Sequence, residues 1–377
     1  MLPSASPESV GMLSERLQNA FAILQSWLKE GTVTAVAAVV VRRGKIAGEF
    51  YAGKAAPAAD AKPVAANSLF HVASISKAMT ATATMMLVES GKLSLDDTVA
   101  SVIPAFAGDG RDAITVRHLL THTSGLPQDP GAEIMEGLPE GADTSAQLQN
   151  YPKSKLAAPV GSKVEYSNVG YGMLGLVIEA VSGQTYPAFM REQLFARAGM
   201  SESYLAPPES LYGRIVHVNG TLDPGSERER WNSAYARRQT NPAGSVIATA
   251  ADVAAFYQMF LDGGKANGRA VISPATTLLM QANQTRGLRG GIEGFMTWDD
   301  CGWSLALDVR GKKHPHFSGE LTSPHTLGNT GVSGTFAWAD PTHELVCVML
   351  ANRMLYNFWN FPRWSRYSTA VTAAIAD

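Results

Sequence analysis

Three groups of residues in this chain have types and spacings that can do chemistry. The first is Ser74-Ile75-Ser76-Lys77, set within Phe70-His71-Val72-Ala73 and continuing into Ala78-Met79-Thr80. From Ser76 to Glu89 the sequence reads as a helix rich in Ala, Met and Leu, with Gly91 just past its end as a cap. Ser74 falls at or just before the first turn and Lys77 lies three residues on, so hydroxyl and amine share a face. A helix N-terminus adds unpaired N–H groups and a partial positive charge. A serine, an adjacent amine base and N–H donors are what acyl transfer needs, which makes Ser74 the candidate nucleophile of a serine hydrolase. The second group is Tyr166-Ser167-Asn168, the only Tyr-x-Asn in the chain, in a loop that opens a helix. The third is the Gly/Thr-rich run Leu327-Gly328-Asn329-Thr330-Gly331-Val332-Ser333-Gly334-Thr335, leading into a strand. Glycines there let a backbone approach a ligand closely.

Each group also has a plainer explanation. Ser74 could be a bland N-cap, Tyr166 a packed ring beside an N-capping Asn168, and the glycine run a tight turn. Ser-x-x-Lys alone is a weak signal, because Ser26-Trp27-Leu28-Lys29 repeats the spacing late in the first helix. A serine there faces its own backbone carbonyls or solvent, with no free N–H groups nearby.

The elements that must position these groups follow from periodicity. Residues 12–29 carry Leu17, Ala20, Phe21, Leu24 and Leu28 at amphipathic-helix spacing. Thr34 to Val41 reads as a buried strand, and Arg42-Arg43-Gly44-Lys45 turns into a second, Ile46 to Tyr51. Short helices are expected over Ile114 to Leu120 and Val169 to Val181, with long loops from about 128 to 165. Residues 205–240 form a polar excursion that could roof a pocket, its Glu227-Arg228-Glu229-Arg230 run read as a solvated face. Ala250 to Leu261 is helical again. Strands follow at Trp303 to Val309, Thr335 to Ala339 and Glu344 to Leu350, then a closing helix over Arg363 to Ala376.

Strands at both ends with helices between imply an α/β (α+β) fold, an antiparallel sheet built from both termini and flanked by helices, with a mostly helical inserted lobe. Residues 1–75 and 245–377 would make the sheet lobe and 76–244 the helical one, with the active site in the cleft between them. A chain of 377 residues, 45% of them hydrophobic, can bury such a core. The net charge of −2, with signs interspersed, points away from nucleic acid and anionic membrane. Cys301 and Cys347 make no disulfide framework, and no Cys/His cluster has metal-ligand spacing, so neither metal nor cofactor is expected. The residues Met1 to Pro7 lack the features of a signal peptide and no apolar stretch spans a bilayer, so a cytoplasmic location is expected.

Taken together, these residues resemble the serine β-lactamase and penicillin-recognising superfamily, in the branch of class C β-lactamases, family VIII carboxylesterases, D-aminopeptidases and DD-peptidases. Ser74-Ile75-Ser76-Lys77 matches the first motif and Tyr166-Ser167-Asn168 the second. Gly91-Lys92-Leu93-Ser94-Leu95-Asp96-Asp97 and Leu119-Leu120-Thr121-His122-Thr123-Ser124-Gly125-Leu126-Pro127 look like stretches common in this branch. The third motif departs from the pattern: Asn329-Thr330-Gly331 stands where Lys, His or Trp precedes x-Gly. Asparagine hydrogen-bonds but cannot pair ionically with a substrate carboxylate, which argues against efficient β-lactam hydrolysis. His325 nearby reads as a turn residue.

The resemblance implies an acyl-enzyme on Ser74, with Lys77 and Tyr166 as the candidate bases and the N–H groups of Ser74 and Val332 as the oxyanion hole. It also implies Asn168, Asn329, Thr330 and Gly331 as substrate-binding residues. Lysine normally titrates near ~10.4 and tyrosine near ~10, so one of them must be tuned. The expected substrate is a small-molecule ester. The alternatives are an amide-directed relative (β-lactamase, peptidase or small-amide hydrolase), an acyltransferase, or a non-catalytic acyl-binding module. Trp231, Tyr235, Phe295, Trp298, Tyr356, Phe358, Trp359, Phe361 and Trp364 could line an apolar pocket, though packing is the commoner role of such rings.

Overall fold

A computed structural model describes residues 2–139, 141–218, 229–292, 294–355 and 360–377. The valine-rich run near the start becomes strand β1 (Ala35–Arg42), turned at Arg43-Gly44 into β2 (Lys45–Gly53). Four strands from the last third join them: β3 (Asp308–Val309), β4 (Leu327–Gly331), β5 (Thr335–Asp340) and β6 (Leu345–Ala351). The sheet runs in the order β3-β4-β5-β6-β1-β2, antiparallel throughout. Strands from opposite ends of the chain therefore meet at β1 and β6, in a register running from Val36 opposite Ala351 to Arg42 opposite Leu345.

Every residue of β1 is buried, because helices cover both faces of the sheet. Val36, Ala38 and Val40 face helices α1 (Ser14–Lys29) and α5 (Asn360–Ala373), in a core with Leu24, Trp338, Trp364 and Tyr367. Ala35, Ala37, Val39 and Val41 face the other way, toward α4 (Ala250–Leu261) and the core that continues into the helical part of the chain. There α2 (Ser76–Glu89) packs against α3 (Asn168–Ser182). Nearly all of α2 is buried, which suits a helix whose sequence is small or apolar all round.

Most sequence-derived boundaries hold to within a few residues; the closing helix both starts and ends three residues early, at Asn360–Ala373. One strand differs in kind. Trp303 to Val309 is not continuous: Ser304 N–H donates to Leu307 O, Ala306 takes a left-handed φ of 98°, and the chain folds back so that Trp303 bridges Asp308. Only Asp308–Val309 pairs with the sheet. The polar excursion at 205–240 carries short helical turns at Glu209–Arg214, Glu229–Asn232 and Ala234–Arg237; Glu227 and Arg228 of its charge run lie outside the described residues. Cys301 and Cys347 are buried free thiols. Among the described residues, no helix is long and apolar enough to cross a membrane.

Trp338 ties the sheet to its covering helix, fully buried on β5 with its indole N–H donating to Ser368 Oγ at 3.0 Å. Trp338→Ala is expected to cost about 3–5 kcal/mol, read as a lowered urea midpoint, and Trp338→Phe markedly less.

Candidate active site

Ser74 sits in a single 3₁₀ turn, Ala73–Ile75, that runs directly into α2. Its side chain does not cap that helix, so the bland reading fails at this position. Ser26, the decoy, spends its hydroxyl on Ile23 O in its own helix. The turn before Ser74 is forced: Ala73 has φ of 48°, a left-handed conformation that costs a non-glycine residue roughly 1 kcal/mol or more. It is held there from the neighbouring hairpin and strand. Ser333 Oγ donates to His71 O at 2.6 Å, Thr335 Oγ1 to Val72 O at 3.1 Å, and Val72 N–H to Val246 O at 3.1 Å. Gly331 makes this closeness possible, since a Cβ there would lie 2.5 Å from Val72 O.

Lys77 is completely buried on the first turn of α2. Its Nζ lies 3.1 Å from Ser74 Oγ, 2.7 Å from Asn168 Oδ1 and 2.7 Å from Ala243 O. Loss of hydration pulls its amine down to about 7, against a smaller opposing pull from the Asp129 carboxylate. Two of its three oxygen partners can only accept hydrogen bonds. A neutral amine satisfies both with its two N–H groups and leaves its lone pair facing the Ser74 hydroxyl.

Asn168 is free to reach Lys77 because Ser167, not Asn168, caps α3: Ser167 Oγ accepts from Gly170 N–H at 2.9 Å. The Asn168 amide nitrogen donates in turn to Asp129 Oδ1 at 2.6 Å. Tyr166 stands beside the nucleophile on the same cavity, its ring 4.7 Å from Lys77 Nζ. Burial raises its phenol well above the ordinary range, so it is protonated at neutral pH.

His122 backs Tyr166, the rings stacked at 4.6 Å, with Trp303 edge-on to the imidazole at 5.0 Å. His122 Nδ1 accepts from Ser167 N–H at 3.0 Å, so the proton of the neutral ring is on Nε2. Burial keeps the ring neutral, and a positive charge on Lys77, whenever present, pushes the same way. Sequence reasoning gives no role to His122, Trp303, Asp129 or the Ala243 carbonyl. Only His122 carries a signal, its place in the Thr121-His122-Thr123 stretch.

A cavity of about 600 Å³ opens over these groups, lined by Ser74, Tyr166, Asn168, Thr330 and Val332 among others. Trp231 and Phe295 line it as well, whereas Phe361 and Trp364 pack beneath the sheet. Tyr235 donates to Ala142 O, and Trp298 lies under the Lys313 ammonium. Tyr356, Phe358 and Trp359 fall outside the described residues. Asn329 is not brought to the cavity. On β4 it faces away from Thr330, its Oδ1 accepting from Tyr257 OH at 2.9 Å and its Nδ2 donating to Ala306 O at 3.0 Å. Gly331 serves the approach of β4 to the Ser74 turn and does not line the cavity. Among the described residues no three His, Cys, Asp or Glu side chains are grouped to hold a metal ion.

Gly331→Ala should displace β4 from the Ser74 turn. Labelling of Ser74 by an organophosphonate ester is expected to slow roughly 100-fold with the circular dichroism spectrum unchanged. Equal labelling rates would show that this contact does not register the nucleophile.

The comparisons with known proteins agree with this geometry. The beta-lactamase family model matches residues 20–365. The chain is 33% identical over 251 residues to penicillin-binding protein 4 of Amycolatopsis lactamdurans, a match covering 64% of each protein. It superposes on a penicillin-binding protein homologue from Caulobacter crescentus with a TM-score of 0.80 at 23% identity, covering 97% of this chain and 99% of the other. A family VIII carboxylesterase superposes with a TM-score of 0.79 at 20% identity, covering 97% and 99%. The chain belongs to the beta-lactamase family of serine hydrolases.

Proposed function

We propose that the protein hydrolyses small esters through an acyl-enzyme on Ser74, with Lys77 as the base. The observation that carries this reading is the buried Lys77 amine, 3.1 Å from Ser74 Oγ and pulled down to about 7. Near neutral pH a large share of the enzyme then holds the amine in its basic form, where an ordinary lysine would hold almost none.

In the first half-reaction Ser74 Oγ attacks the ester carbonyl and its proton passes to Lys77 Nζ. The oxyanion forms beside the N–H groups of Ser74 and Val332, both on residues that line the cavity. As the C–O bond breaks, the Tyr166 phenol gives its proton to the departing alkoxide and is reprotonated from Lys77. The raised phenol fits this relay role and argues against a resting tyrosinate. In the second half-reaction water attacks the acyl carbon and its proton passes to Lys77 through the Tyr166 hydroxyl. The bond from the acyl carbon to Ser74 Oγ then breaks, Lys77 gives the proton to Oγ, and the acid leaves with the neutral amine restored. Asn168 holds the amine in place, with Oδ1 2.7 Å from Nζ.

An ester substrate is favoured over a carboxylate-bearing β-lactam by the third motif. Asn329 brings no charge, and its carboxamide is engaged by Tyr257 and Ala306.

Intact mass after brief exposure to an organophosphonate ester should show one adduct on the wild-type protein and none on Ser74→Ala. No adduct on wild type, or an equal one on both, would overturn the assignment. The kcat/KM for a short-chain chromogenic ester is expected to fall as pH drops through about 7, because protonation of Lys77 removes the base. An inflection near ~10, the ordinary value for either group, would show that the amine is not tuned. Lys77→Met should lower acylation by roughly 100-fold to 10,000-fold.

A further inference from the structure

We infer that Asp129 selects acyl donors that carry a cationic nitrogen. The inference rests on the acyl-transfer reading of Ser74 and specifies what the same cavity accepts.

The charge around the nucleophile is one-sided. Asp129 is exposed and lines the cavity beside Asn168. Its Oδ1 accepts from Asn168 Nδ2 at 2.6 Å, while Oδ2 has only a long contact of 3.5 Å from Gln128 Nε2 and is open to the cavity. Among the described residues no arginine, lysine or histidine lines the cavity, and none pairs with Asp129. Lys77 is buried beneath the floor and its hydrogen bonds are spent on Ser74, Asn168 and Ala243. Asp129 is the one acidic side chain on the described lining, and no basic side chain faces it there.

A substrate carboxylate entering this space meets a like charge and no counter-cation. A cationic nitrogen meets an open carboxylate oxygen next to the residue that holds the catalytic amine, so its acyl arm is placed within reach of Ser74. The Trp231 and Phe295 rings on the same lining add aromatic surface that suits a weakly hydrated cation. Neutral acyl groups remain acceptable, because nothing in this arrangement requires a charge to bind.

The test compares two chromogenic esters with the same leaving group, one acylated with γ-trimethylammonio-butanoate and the other with its neutral tert-butyl isostere. A quaternary nitrogen cannot attack its own ester, so background reaction is comparable. Wild-type kcat/KM should favour the cation by roughly fivefold at low salt, the scale of a partly exposed ion pair. The preference should shrink towards one near 1 M salt, where the screening length is about 3 Å. Asp129→Asn should bring the ratio to about one whatever its effect on the absolute rate, since both esters share the Asn168 and Lys77 contacts. A wild-type ratio at or below one, or a preference insensitive to salt, overturns the inference without any variant. So does an unchanged ratio in Asp129→Asn. Failure of the parent reading looks different: the wild type would turn over neither ester, or Ser74→Ala would hydrolyse the neutral ester as fast as wild type.

Discussion

Taking one amine out of water is the event on which the rest of this site depends. An ammonium in the interior is costly unless it is paired, and Lys77 is surrounded by neutral oxygens in place of a carboxylate. The protein therefore favours the neutral amine, which is the form that can take a proton from Ser74. The Asp129 carboxylate is kept one side chain away, behind Asn168, close enough to oppose the shift but not to cancel it. Had Asp129 touched Nζ directly, the ammonium would be stabilised and the base lost. The Asn168 carboxamide thus separates the carboxylate from the amine while hydrogen-bonding to both.

The second requirement is rigidity at the nucleophile. Ser74 lies just after a residue with unfavourable backbone geometry, and that geometry persists because hydroxyls of the β4–β5 hairpin grip the carbonyls of His71 and Val72. The same hairpin carries Val332, so the two N–H groups assigned to the oxyanion are fixed relative to each other by the contacts that hold the turn. On the far side, the His122 ring stacks on Tyr166 and accepts a hydrogen bond from Ser167, the residue that caps α3. One imidazole thereby aligns the phenol with the helix that bears Asn168.

Much of this was legible in the residues, and the divide follows the range of the interactions. The Ser74–Lys77 pairing is local, three residues along one helix, so spacing alone anticipates it. The sheet shared by the two ends is legible because both terminal regions carry strongly apolar runs of strand length. Asn329 and Thr330 are a different matter. Adjacent residues on a strand face opposite ways, and which one meets the cavity depends on register, which a motif cannot supply. The break in Trp303 to Val309 escaped for a similar reason, since a serine hydroxyl and a left-handed alanine override an apolar pattern that reads as one strand. Asp129 and the Ala243 carbonyl are beyond sequence altogether: an aspartate in a polar loop and a backbone oxygen acquire their roles only through packing of distant segments.

The pairing of β1 with β6 also bears on how the chain is made. Strand β1 lies next to the edge strand β2, and its partner on the other side, β6, is made only after the whole stretch from Arg43 to Glu344. Until then one edge of a strand buried on both faces in the finished protein has no hydrogen-bonding neighbour, a condition that invites intermolecular association. That edge of β1 stays open until the segment between Arg42 and Leu345 has been made, and β6 is the strand that covers it.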